Sequence, residues 1–151
     1  ATYHEDQVIS YENFAKKNPG KRLPMIVGVT ILTSISDKEL KSTFKFNDMQ
    51  DAVLRLALKA KESKLDGIVC SPNEAEMIRA HAKEFGPNFV IVTPGIRLDD
   101  KVQDQVRVAT PELAVKAGSN YLVIGRPITQ AKSPRSALQT FVQHIQSATL
   151  S

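Results

Sequence analysis

Two arginines and one glutamine stand where this chain could hold an oxyanion. Arg126 follows Gly125 at the end of an apolar run, in "YLVIGRPIT" (Tyr121 to Thr129), and Arg97 closes "VTPGIR" (Val92 to Arg97). Arginine carries a permanent charge on a planar fork that matches phosphate. A glycine beside it leaves backbone N–H groups bare for the same ligand. Gln105 lies in the long polar stretch between the two arginines, "PGIRLDDKVQDQVRVA" (Pro94 to Ala109). A connection of that length without structure of its own usually serves as a lid or a binding loop. Arg97, Gln105, Gly125 and Arg126 are therefore the candidate phosphate ligands. The bland alternative is a pair of surface arginines with a solvated glutamine.

Other reactive residue types fall into weaker patterns. Ser34 has no nucleophile-elbow glycines around it. Cys70 has no histidine near it in sequence and reads as a packed thiol. His4, His81 and His144 sit in helical stretches without metal-ligand spacing, so no metal is expected. The basic stretch "KKNPGKR" (Lys16 to Arg22) has no interleaved aromatics and surrounds a Pro-Gly turn, which argues against nucleic acid. Its Gly-Lys pair is no phosphate loop either, because position 15 is alanine where that motif needs glycine.

The elements that must position these residues alternate regularly. Four short runs rich in Val and Ile, "MIVGVTIL", "DGIVCS", "NFVIVT" and "NYLVIG", read as strands of a parallel sheet covered on both faces. Helical spacing fills the gaps in "MQDAVLRLALKAKES", "PNEAEMIRAHAKEF", "TPELAVKAG" and "SALQTFVQHIQ". Ser71-Pro72, Thr110-Pro111 and Ser133-Pro134 each pair an N-cap oxygen with proline at the first helical position. Glu74 completes a capping box with Ser71, and Gly118 suits a left-handed helix stop. A helix over 1–20 is expected before the first strand. The order α-β-α-β-α-β-α-β-α predicts a parallel α/β fold in one domain over 1–151. In such folds ligands gather at the carboxyl ends of strands. Those ends carry Thr33-Ser34, Cys70-Ser71-Pro72, Thr93-Pro94-Gly95 and Gly125-Arg126.

Composition is that of an ordinary globular protein. Of 151 residues, 42% are hydrophobic and 24% charged, with a net charge of +4. No run approaches a membrane span, and the opening stretch lacks the features of a secretory signal. The single cysteine fits a cytoplasmic location.

"VTPGIR", "DQVRVATP" (Asp104 to Pro111) and "YLVIGRPIT", in this order and spacing, resemble the orotidine 5′-phosphate decarboxylase family. "VTILTS" and "DGIVCSPNEA" are similar to that family's fifth and sixth barrel strands. The resemblance implies the C-terminal half of a TIM (β/α)8 barrel, with four βα units over 23–151. It also implies decarboxylation of orotidine 5′-phosphate to uridine 5′-phosphate without metal or organic cofactor. By the same resemblance Thr33 touches the pyrimidine, Ser34 is its neighbour and Pro94 flanks the base. Arg97, Gln105, Gly125 and Arg126 gather the phosphate. The family's catalytic lysine, in an Asp-x-Lys-x-x-Asp array on early strands, has no counterpart on the strands of this chain. Asp99, Lys101 and Asp104 spell that array in a polar loop, which reads as a chance match. The expected partners are a complementary N-terminal half-barrel or a second copy, with a homodimer as the family's usual state. The rival expectation is a non-catalytic half-barrel that binds a nucleotide phosphate or only assembles.

Overall fold

A computed structural model of the chain describes residues 13–21, 24–32, 35–44, 46, 48–98 and 108–150. Most of the expected N-terminal helix lies outside them; its described end is helical over 13–17. Four strands form one parallel sheet: β1 (Val27–Val29), β2 (Gly67–Val69), β3 (Val90–Pro94) and β4 (Tyr121–Val123), in the order β1-β2-β3-β4. All but β3 are three residues long, shorter than the apolar runs that contain them.

The helices follow the strands in turn. A short turn, α1 (Asp37–Glu39), continues into one π-helical turn (Leu40–Phe44) and precedes α2 (Met49–Glu62). Beyond β2 come α3 (Pro72–Ala80) and α4 (Ala82–Phe85); α5 (Pro111–Lys116) precedes β4, and α6 (Arg126–Thr129) and α7 (Pro134–Leu150) follow it. Local chemistry explains most boundaries. The Asp48 carboxylate accepts the Asp51 N–H at 3.1 Å and caps α2. Glu74 accepts the Ser71 N–H at 2.8 Å and also contacts the Ser71 hydroxyl, the expected capping box. Thr110 accepts the Leu113 N–H at 3.4 Å at the head of α5. Gly118, at φ +87°, ends that helix in the left-handed conformation that glycine adopts without steric cost. "PNEAEMIRAHAKEF" is not one helix: it breaks at His81, whose Nδ1 lies 2.8 Å from the Met77 carbonyl.

Sequential parallel strands joined by right-handed crossovers carry all their helices on one side of the sheet. The pattern of burial agrees. Ile68, Cys70 and Ile91 are buried and meet Ala52, Val53, Ala57 and Ala60 of α2 and Ala75 and Ile78 of α3, and Thr93 on the same side is buried too. A second cluster joins Ile96, Ala114 and Phe141 to Leu122, Ile124 and Ile128 beneath β4. The opposite face holds Val29, Val69, Val92 and Tyr121 in one register row, with Val123 beyond. There Val29, Tyr121 and Val123 are 42%, 52% and 50% exposed. The expectation of strands covered on both faces is therefore corrected for β1 and β4. Their apolar alternate residues face outward, and among the described residues none covers them.

Candidate phosphate site

Because the strands are parallel, their carboxyl ends open on one rim. Thr33 and Ser34, expected beyond β1, and Gln105, expected in the long loop, lie outside the described residues, as do Asp99, Lys101 and Asp104. After Thr33 and Ser34 the chain is anchored again: the Ser36 N–H and hydroxyl donate to Glu39 at 2.9 and 2.7 Å. Those bonds hold the Glu39 carboxyl below its ordinary value.

Pro94 is the last residue of β3 and is paired with Val123 of β4. Gly95 turns the chain at φ +81°, and Ile96 forms an isolated parallel bridge with Ala109. The Arg97 N–H donates to the Ala109 carbonyl at 3.0 Å, and the Ala109 N–H to the Gly95 carbonyl at 3.4 Å. The excursion that carries Gln105 thus starts and ends beside Arg97. Ile96 is fully buried against Ala114 and Phe141, which seats this clip on the core. Arg97 is half-buried, and its guanidinium donates to the Ile96 carbonyl at 3.0 Å.

On the adjacent strand, Gly125 stands two residues beyond Val123 and begins α6. Its carbonyl accepts the Ile128 and Thr129 N–H groups at 2.9 and 3.1 Å. A side chain placed at Gly125 would meet nothing within 4 Å, so the space above its backbone is open. Arg126 is exposed, and Pro127 gives the first turn one N–H fewer. The structure therefore brings Pro94, Arg97, Gly125 and Arg126 to the ends of two neighbouring strands. A glycine backbone with open space above it and two arginines at the ends of paired strands are residue types suited to receive a dianion.

Helix α6 was missed by sequence reasoning, although Pro127 in "GRPIT" is the same first-turn proline signal as at Pro72 and Pro111. The Ile96–Ala109 clip had no local signal, since a single bridge follows from packing rather than from periodicity. Cys70 is buried, as a packed thiol should be. His144 contacts Glu112 across the α5–α7 interface. Among the described residues no three His, Cys, Asp or Glu side chains are grouped to hold a metal ion, and no helix is long and apolar enough to cross a membrane.

Residues 10–141 match the family described as Orotidine 5'-phosphate decarboxylase / HUMPS family. The chain belongs to this family. Orotidine 5'-phosphate decarboxylase of Coxiella burnetii (strain RSA 331 / Henzerling II) is 49% identical to it over 126 residues, 83% of this chain and 52% of that protein. The crystal structure of orotidine 5'-phosphate decarboxylase from Lactobacillus acidophilus superposes with a TM-score of 0.67 at 37% identity, over 85% of this chain and 52% of that one. An uncharacterized conserved protein from Geobacillus kaustophilus gives a TM-score of 0.70 at 30% identity, over 93% of this chain and 57% of its own. The chain spans about half the length of the curated relatives it matches. Within this decarboxylase family, four sequential βα units with helices on one side are half of a TIM barrel, whose complete form has eight.

Proposed function

We propose that this chain supplies the phosphate and base contacts of an orotidine 5′-phosphate decarboxylase site, as a single half-barrel domain over 1–151. One observation supports the reading above others: in a member of this family, Pro94–Arg97 and Gly125–Arg126 occupy the ends of paired strands. Arg97, Arg126 and the Gly125 backbone bind the 5′-phosphate, and Gln105 adds its amide from the loop clipped at Ala109. Pro94 lies along the pyrimidine, and Thr33 touches the ring with Ser34 as its neighbour.

Phosphate is remote from the carbon–carbon bond that breaks. Holding it orients the base, and its binding energy serves catalysis only where the contacts strengthen in the transition state. A loop closing on the phosphate achieves this and excludes water. The proton that replaces carbon dioxide on the ring comes from a lysine set among aspartates. The described strands carry no such array, and Asp99, Lys101 and Asp104 belong to the polar stretch after Arg97 rather than to a strand-borne array. A complementary half-barrel therefore supplies it, from the same or another polypeptide, and packs against the open face bearing Val29, Tyr121 and Val123. The complete protein works in the cytoplasm as a homodimer, with neither metal nor nucleic acid.

Calorimetry with uridine 5′-phosphate and an assay of orotidine 5′-phosphate decarboxylation test this together. Binding by the chain, with turnover only when the complementary half is added, is the expected result. Binding without turnover under either condition would favour the non-catalytic module. Turnover by this chain alone would overturn the assignment of the lysine to another segment.

A further inference from the structure

Asp66 and Asn120 occupy equivalent places, each immediately before a strand, and each makes the same pair of bonds to the strand alongside. The Asp66 N–H donates to the Ile26 carbonyl at 2.9 Å, while its carboxylate accepts the Ile26 N–H at 2.7 Å. The Asn120 N–H donates to the Ile91 carbonyl at 2.9 Å, while its side-chain oxygen accepts the Ile91 N–H at 2.8 Å. A short polar side chain thus replaces the ladder bond that the backbone cannot make at that step, and fixes which residues face each other.

Asn120 carries an additional partner. Arg79, near the end of α3, donates through Nη2 to the Asn120 side-chain oxygen at 2.5 Å. Its Nη1 donates to the Phe89 carbonyl at 2.8 Å and its Nε to the Gly118 carbonyl at 2.9 Å. One guanidinium therefore ties together the start of β3, the stop of α5 and the start of β4. Gly118 has the room for it: a Cβ there would fall 2.7 Å from the Arg79 Cγ.

Strand β4 needs such a device. Tyr121, Leu122, Val123 and Ile124 are apolar without exception. Tyr121 and Val123 are exposed and Leu122 is only half-buried, so a one-residue slip exchanges apolar for apolar and burial resists it weakly. Among the described strands β4 pairs with β3 alone. A slip would move Gly125 and Arg126 along the strand by roughly 3.3 Å and turn each side chain to the other face.

We propose that Arg79 and Asn120 form a register lock for β4, and that through it Arg79 is a positioning residue for the Gly125–Arg126 phosphate contacts. The inference rests on the phosphate reading above, but the lock itself is measurable without any ligand. Three variants test it: N120A removes the acceptor, R79M removes the donors at similar length, and N120D keeps the acceptor and adds charge.

Amide hydrogen exchange of the unliganded chain is compared with its affinity for uridine 5′-phosphate and for uridine. In N120A and R79M the β4 amides exchange at least roughly tenfold faster while β1–β2 amides keep their protection, because a part-buried network has lost a partner. The preference for uridine 5′-phosphate over uridine falls by a similar factor in both, and N120D retains both properties. Unchanged β4 protection in N120A and R79M overturns the lock. Faster β4 exchange with an undiminished phosphate preference overturns the positioning role. A wild-type chain that does not prefer the phosphorylated nucleoside defeats the phosphate reading and the positioning role together, while exchange still reports separately on the lock.

Discussion

The backbone N–H of Arg97 donates to the carbonyl of Ala109 at 3.0 Å, so the long loop returns to the rim at the arginine where it departed. The bond fixes both ends of that stretch to one another at the rim. That arrangement holds Arg97 at the end of β3, where the proposed phosphate contact needs it.

The two arginines are therefore expected to act on the phosphate rather than on the nucleoside. Replacing Arg126 or Arg97 with alanine removes a charge-assisted contact worth about 1.5–3 kcal/mol. Affinity for uridine 5′-phosphate should fall roughly ten- to hundredfold by calorimetry at low salt, with affinity for uridine unchanged. Equal losses for both ligands would remove the assignment.

Gly67 is fixed by space. A Cβ at this position would lie 2.0 Å from the Val90 carbonyl oxygen, a backbone atom that cannot retreat without breaking the β2–β3 pairing. G67A should destabilise the fold by about 2–3 kcal/mol, the upper part of the usual overpacking range. Thermal unfolding checks this; a melting temperature within experimental error of wild type would contradict the packing described for β2.

Lys64 ends α2 at φ +58°, a conformation unfavourable for a residue with a side chain. The Leu65 N–H donates to the Ala60 carbonyl at 3.0 Å across that turn. K64G relieves the strain but gives the unfolded chain more entropy to lose on folding, and a net gain of about 0.5–1 kcal/mol is expected. Denaturant unfolding measures it, and a loss of stability would show that the lysine side chain contributes more than its backbone costs.

The α5–α7 contact between Glu112 and His144 predicts an acid-sensitive edge. Burial pushes the Glu112 carboxyl up, but hydrogen bonds from His144, its own backbone N–H and Thr110, together with the charge of His144, draw it below 4.5. A carboxyl lowered in the folded state stabilises the fold above its unfolded value and loses that contribution as pH falls through the lowered one. Melting temperature should drop as pH falls below the ordinary carboxylate range, and E112Q should show a smaller drop. Identical acid profiles for the two proteins would contradict the role given to this pair.

Strand existence and order were legible in the chain because "DGIVCS", "NFVIVT" and "NYLVIG" are short Val/Ile-rich runs separated by helix caps that work as written. Ser71 with Glu74 and Gly118 both behave as their types require. Burial was less legible. A continuous apolar run reads alike whether one face is covered or both, and only the exposure of Val29 and Tyr121 distinguishes them. The rim residues Pro94, Arg97, Gly125 and Arg126 could be read because strand ends are sequence-local. The Arg79–Asn120 contact joins elements far apart in the chain, and no periodicity marks it.

Phosphate is expected between the ends of β3 and β4. A crystal structure of the chain with uridine 5′-phosphate tests it directly. The phosphorus is expected within hydrogen-bonding reach of the Gly125 backbone and of the Arg97 and Arg126 guanidinium groups. A nucleotide bound elsewhere, with Gly125 facing only solvent and both arginines turned from the phosphate, would contradict it.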